Sequence, residues 1–174
     1  ESVIFLTTSD RKAGVAVQTE FGTLTVAHLA NSPGAWEVLQ RDNHTDLAVI
    51  KLLNDPNLKP LKVACGDAQL GEKVLEVINA PPIFQALAWG RVANPSIRAP
   101  YAPSAEFIIA QIPGYPGTSG APLMRKNEII GIAGFVPSKP IIVALHIYRA
   151  EFEMEQPGFT GYISAKTIRE FVNK

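Results

Sequence analysis

Three short segments hold residue types that could do chemistry together. Thr25-Val26-Ala27-His28 puts a histidine at the end of a strand-like run, and His44-Thr45-Asp46-Leu47-Ala48-Val49-Ile50-Lys51 puts an aspartate at the mouth of an apolar one. Pro116-Gly117-Thr118-Ser119-Gly120-Ala121-Pro122-Leu123 holds a serine between glycines. A serine hydroxyl is a weak nucleophile near neutral pH and needs an adjacent base. Histidine suits, because it gains and loses its proton in that range. A carboxylate on the second ring nitrogen selects the useful tautomer. The oxyanion formed on acyl transfer needs preorganised N–H donors. Glycines beside the serine free the backbone to aim the amides of Gly117 and Ser119 at one point. The order His, Asp, Ser is one of several that reach this geometry. Taken singly, a strand histidine, a strand-end aspartate and a glycine–serine turn all have ordinary structural readings. Their joint occurrence, in order, carries the signal.

These side chains need a scaffold, and the sequence reads as all-β. The 13 glycines and 14 prolines are spread along the chain and punctuate short apolar runs, as in a β-domain. Strands are predicted at Ser2–Thr7, Gly14–Thr19, Thr23–Ala27, Leu47–Leu52, Lys73–Ile78, Ala86–Val92, Phe107–Gln111, Pro122–Arg125, Glu128–Phe135, Ile141–His146 and Thr160–Ser164. Leu47–Leu52 is nearly all apolar and should be buried on both faces. Ile168, Phe171 and Val172 recur at helical spacing, so Ala165–Asn173 is predicted as a terminal helix with Ser164 as its N-cap. The proline-rich stretch 93–103 is the candidate linker. It divides the chain into an N-terminal barrel or sheet at 1–92 and a C-terminal one at 104–174, with the site between them.

Composition narrows the classes. At 174 residues and 18.8 kDa the chain has the size of one domain. Sixteen basic and sixteen acidic residues leave no net charge, which excludes the strongly basic signature of a general nucleic-acid binder. With 18% charged and 47% hydrophobic residues the chain does not have a disordered composition. The longest apolar runs, such as Ile129–Val136, fall short of the ~18 residues of a membrane helix. The one cysteine, Cys65, rules out an internal disulfide framework and reads as a buried small hydrophobe. The chain starts at Glu1 with no signal-peptide pattern, so a processed product or a piece of a longer chain is expected.

The three segments resemble the chymotrypsin-like serine peptidases, which pack two six-stranded β-barrels with the active site between them. Thr25–His28 is similar to that family's T-A-A-H, Asp46–Lys51 to its D-L-A-(V/L)-(L/I)-K, and Gly117–Leu123 to its G-(D/N)-S-G-G-P-L. Glu128–Ile132 resembles the strand that follows. Gly161–Ser164, the stretch from Pro60 to Asp67, and Gly71–Val74 resemble the HtrA-type branch. The resemblance covers about Gly14 to Ile168. It implies His28 as general base, Asp46 as its orienting carboxylate and Ser119 as nucleophile, with the amides of Gly117 and Ser119 as oxyanion hole. It also implies Gly134, Phe135 and Val136 as the strand that pairs with substrate and walls the first specificity pocket, with Thr160 nearby.

Departures are visible too. Only 17 residues separate His28 from Asp46, so the first barrel is short. Thr118 stands where the family has Asp or Asn and cannot pair with a freed N-terminus. Ala121 replaces the second glycine. A compact chain without disulfides is also similar to the serine proteases excised from polyproteins of positive-strand RNA viruses, of the sobemovirus and astrovirus types. The expected activity is therefore serine endopeptidase, processing a viral polyprotein; the compartment is left open, and is a host cytoplasm if the protein is viral. The alternatives are a bacterial HtrA-type domain or a catalytically silent peptide-binding module. The expected partner is a polypeptide substrate, beside a flanking membrane or polyprotein segment, with no nucleic acid required.

The remaining candidates are weaker. No cofactor is implied, and three histidines without ligand spacing give no metal site. His44 reads as a turn residue and His146 as a structural one, or as a reader of an acidic substrate side chain. Trp36 and Trp89 read as core or loop anchors, and Glu151, Glu153 and Glu155 as a solvated strand edge. Pro113, six residues before Ser119, implies no basic preference in the first pocket. Thr160 with the Phe135–Val136 wall suggests a small aliphatic residue there, or an acidic one if His146 or Lys139 reaches in.

Overall fold

The computed structural model describes residues 2–54, 57–80, 83–99, 102–115, 117–135 and 158–174. In chain order the elements are β1 (Val3–Thr7), β2 (Ala13–Thr19), β3 (Gly22–Val26), α1 (Ala27–Ala30), β4 (Trp36–Asp42), β5 (Leu47–Leu52), β6 (Lys62–Val63), β7 (Lys73–Ala80), β8 (Ile83–Ala99), β9 (Ala102–Ala110), β10 (Pro122–Arg125), β11 (Glu128–Phe135), β12 (Thr160–Ser164) and α2 (Ala165–Val172). The first sheet has five strands in the order β1-β2-β3-β5-β4. In the second, β10-β7-β8-β9-β12-β11 closes on itself through the β10–β11 pairing, and β6 lies parallel beside β11. Closure removes the exposed edges that an open sheet would leave.

The expected pair of six-stranded barrels is thus met in the second sheet, while the first has five strands among the described residues. The interval between His28 and Asp46 has room for one strand, β4. Its sequence, Trp-Glu-Val-Leu-Gln-Arg-Asp, is too polar to stand out by pattern, because it is the edge strand of its sheet and mostly exposed. β5 is buried on both faces over Leu47–Ile50, as its apolar run requires.

The linker expected at 93–103 is not one. Residues 93–99 continue β8 and 102–103 begin β9, and the two pair as neighbours. Pro95 falls where the β8–β9 register shifts, between Asn94 and Ile97, and Pro103 near the start of β9, positions that tolerate a missing donor; Pro100 lies outside the described residues. The chain passes between sheets earlier, through 53–72. Leu61 bridges to Thr19, and β6 then joins the second sheet, its Val63 amide donating to Glu20 Oε1 at 3.1 Å. Both β7 and β8 therefore belong to the second sheet, not the first.

α2 follows from its sequence. Ser164 Oγ accepts from the Thr167 amide at 3.3 Å as N-cap, and Ile168 and Phe171 are buried. The helix ties the far ends together. Gln40 Nε2 donates to Phe171 O at 2.7 Å, and Lys174 pairs with Asp42 at 2.9 Å. Two other expectations fail. Cys65 is exposed, in the bend after β6. Trp89 is 70% exposed on β8, because odd-numbered residues of that stretch point out of the barrel.

One acid breaks the apolar interior. Glu76 of β7 is fully buried, and burial pushes its carboxyl up to about 7, although the Tyr162 phenol opposes the rise. The folded state therefore holds a proton that the unfolded chain releases above about 4.5. The resulting stability is fully present below pH 4.5 and is lost as pH rises toward 7. A shift of that size is worth about 3 kcal/mol. Glu76→Gln should flatten the pH dependence of stability over this window and leave the variant more stable than wild type at pH 8. Urea denaturation at pH 4.5, 6 and 8 checks this, and identical pH slopes for the two proteins would refute it.

Candidate active site

His28 and Asp46 meet because of strand register. Val26, the last residue of β3, pairs with Leu47, the first of β5. The residues just beyond those ends share one end of the sheet. There the chain turns into α1, so His28 sits on a single helical turn rather than on the strand end expected. The Ala27 amide donates to Asp46 O at 3.0 Å. The Asp46 carboxylate then holds its neighbour twice: Oδ1 accepts from the His28 amide at 2.9 Å and Oδ2 lies 2.8 Å from His28 Nδ1. A carboxylate can only accept, so Nδ1 carries the proton and Nε2 is left with its lone pair. Asp46 takes φ +57° to make this grip, a left-handed conformation that Asp and Asn tolerate better than other side chains. Sequence pattern gave no sign of it.

The serine turn is built from the second barrel but docks on the first sheet. Ser119 O accepts from the Val15 amide of β2 at 2.8 Å. Gly120 donates to Ala133 O at 2.7 Å, and Ala133 donates to Ala121 O at 2.8 Å, which lays the turn along β11. Thr25 Oγ1 donates to Val15 O at 2.8 Å, and a Cβ on Gly120 would lie 2.9 Å from Thr25 Oγ1. The serine turn thus packs against the strand that runs into His28. Ser119 is half-buried, and its hydroxyl makes no hydrogen bond among the described residues.

Gly117 and Gly120 both take φ +90° and bracket Ser119. Ala121 is not among the positive-φ residues, so replacing the family's second glycine costs no strain there. Thr118 is buried; its amide and its hydroxyl both donate to Tyr115 O, at 3.2 and 2.9 Å. The amides of Gly117 and Ser119 on either side have no acceptor among the described residues. A Cβ at Gly120 would sit 1.9 Å from Val15 O, a backbone atom that cannot swing away. Gly120→Ala should therefore cost roughly 2–4 kcal/mol and part the turn from β2. Urea denaturation measures the loss; a stability within 0.5 kcal/mol of wild type, a size typical of surface changes, would show that the turn is not held as described.

Gly134 lies at a bulge in β11, where the register to β12 shifts between Ala133 and Phe135. Phe135 ends the strand, paired with Gly161. β10 accompanies β11 only as far as Ile132, and the serine turn only to Ala133. Beyond them the Gly134–Phe135 edge has no neighbour on that side among the described residues. Thr160 is buried, and its hydroxyl donates to Ile112 O at 2.9 Å. Val136, Lys139, His146, the strand expected at 141–146 and the acidic run 151–155 lie outside the described residues. His44 is the turn residue expected, its amide donating to Asp42 Oδ1 at 2.8 Å. Pro113 lines a cleft of about 660 Å³ with Lys73, Trp89, Gly90, Arg91, Gln111 and Gly158, which includes none of His28, Asp46 and Ser119. Among the described residues no cluster of three or more His, Cys, Asp or Glu could hold a metal ion.

Solved structures share this architecture. The active form of the Rv3671c protease from M. tuberculosis superposes with a TM-score of 0.74 at 16% identity, over 99% of this chain and 80% of that one. Its inactive form gives 0.71 at 18%, over 99% and 87%. The HtrA-type protease AlgW with a tripeptide gives 0.70 at 19%, over 97% of this chain and 57% of the longer one. The fold is chymotrypsin-like. No protein-family model and no curated protein sequence matches the chain. Within the chymotrypsin-like frame, the meeting point of the two sheets is where His28, Asp46 and the serine turn stand.

Proposed function

We propose that the protein is a serine endopeptidase that works through an acyl-enzyme. The observation that carries this reading is the double grip of Asp46 on His28, which leaves Nε2 as a base beside a serine turn docked on the same sheet. Ser119 Oγ attacks a peptide carbonyl carbon and its proton passes to His28 Nε2. The new oxyanion takes the amides of Gly117 and Ser119. Collapse breaks the C–N bond, and His28 returns the proton to the leaving amine. Water then repeats the sequence on the ester and frees the acid. Substrate backbone adds to the open Gly134–Phe135 edge as a further strand. The AlgW structures hold a tripeptide and a decapeptide, which supports a peptide as the substrate class.

An HtrA-type domain and a viral polyprotein protease use this same chemistry. The short interval between His28 and Asp46 favours the second, and the HtrA-type neighbours favour the first. A fluorophosphonate probe tests the shared reading. An activated Ser119 displaces fluoride and becomes phosphonylated, which peptide mass spectrometry locates. A folded protein that stays unlabelled would instead be a silent peptide-binding module.

A further inference from the structure

The outer wall of the second barrel carries a pattern that the catalytic reading leaves without a role. The outward-facing residues of β7 and β8 stand opposite one another in three rungs: Lys73 and Arg91, Leu75 and Trp89, Val77 and Leu87. Trp89 and Leu87 are 70% and 56% exposed, and apolar surface left in water on a rung next to charges marks an interaction site. The first rung is unfavourable in another way, because like charges directly opposite repel. Among the described residues no acid relieves it: neither Lys73 nor Arg91 forms an ion pair. Glu72, the neighbour in sequence, is committed elsewhere, with Oε1 3.6 Å from Arg125 Nη1 and Oε2 accepting from the Gln69 amide at 3.1 Å.

The two cations open onto a formed cleft. With Trp89 they line the space of about 660 Å³ beside Gln111 and Gly158, a size within the range of ligand pockets. Its wall is fixed by backbone: the Gln111 amide donates to Arg91 O at 2.8 Å, and a Cβ on Gly90 would lie 2.3 Å from Gln111 O. Arg91 Nη1 donates to Gly71 O at 2.7 Å, which orients the guanidinium and leaves its remaining donors for an anion. We propose that this wall docks an extended segment of a partner polypeptide that carries carboxylates followed by apolar side chains at alternate positions. The carboxylates take charge-assisted hydrogen bonds from Lys73 and Arg91. The first apolar side chain packs on Trp89 and Leu75, and the second on Leu87 and Val77. The rungs follow one another about 6.8 Å apart, the spacing of same-face side chains in any extended chain, so a peptide laid along the strands keeps step with them. Trp and Arg are also the residue types that anchor protein interfaces. A nucleic acid fits less well. The chain has no net charge, and two cations beside three aliphatic residues give no basic track for a run of phosphates.

The test uses the Ser119→Ala protein, so that no bound peptide is cleaved and the result stands apart from the peptidase reading. Fluorescein-labelled Glu-Glu-Ser-Phe-Ser-Leu is titrated with it by fluorescence anisotropy. The peptide should bind saturably, and more weakly as salt rises. Adding Lys73→Glu or Trp89→Ala should each weaken binding by about tenfold or more, while Lys73→Arg, which keeps the charge, should bind like the parent. Lys73 and Trp89 are both exposed, so these variants fold. Absence of binding, or binding that neither Lys73→Glu nor Trp89→Ala moves, overturns the proposal and leaves the peptidase reading untouched. Tighter binding of labelled oligouridylate than of the peptide also overturns it, by marking a nucleic-acid surface. So does a concentration-dependent dimer in sedimentation that Trp89→Ala disperses, because the occupant would then be a second copy of this chain.

Discussion

Ser119→Ala is expected to lower peptide turnover by at least about 10³-fold and to abolish fluorophosphonate labelling, with the fold unchanged. The two halves of that result have separate causes. Catalysis is lost because Oγ is the atom that forms the acyl bond. Stability survives because the hydroxyl has no hydrogen-bond partner among the described residues, while the contact that docks the turn uses the Ser119 carbonyl, which alanine retains. A stability change within about 0.5 kcal/mol is expected. Turnover that persists in the variant would remove Ser119 from the mechanism. Turnover absent in both proteins would leave a binding module on the same fold.

The second large effect is expected from Asp46→Asn, a loss of about 10³–10⁴-fold in kcat. Asparagine keeps one acceptor oxygen and replaces the other with a donating amide. With its oxygen on the His28 backbone amide, its NH₂ faces Nδ1, which must then accept. The imidazole proton moves to Nε2, where it blocks transfer from the serine hydroxyl. The backbone loses little, since asparagine also tolerates the φ of +57° found at this position. Thermal melts should therefore overlay while kcat falls. A rate within tenfold of wild type would show that the carboxylate contact, though 2.8 Å long, does not set the tautomer.

The electrostatics separate the site from the barrel beneath it. Asp46 is partly exposed and meets a histidine that is half-exposed, a place where a charge is readily solvated. Glu76 is sealed among apolar and small residues, so its charge is costly there.

Sequence alone determined what depends on neighbours a few residues apart. Gly117 and Gly120 announced a turn around Ser119, and both take positive φ in it. The unbroken apolar run Leu47–Ile50 announced a strand buried on both faces. Ser164 ahead of Ile168 and Phe171 announced a capped helix, and the order of His28, Asp46 and Ser119 announced the chemistry. Each of these is a local requirement of backbone torsion, side-chain alternation or reactivity, and residue types report such requirements directly.

Tertiary structure alone decided which strands became partners. The proline-rich stretch 93–103 looked like a linker because it interrupts a local pattern, yet β8 absorbs Pro95 at a register shift supported by long-range pairing, and Pro103 lies within β9. β4 went unseen because an edge strand can be polar when one sheet neighbour supplies its hydrogen bonds. Glu76 lies in the predicted strand Lys73–Ile78 with nothing local to mark it. Only closure of the barrel, through the pairing of β10 with β11, turned its face inward and set it against Tyr162, 86 positions along the chain. That partnership depends on through-space distance, and no local pattern of residues encodes it.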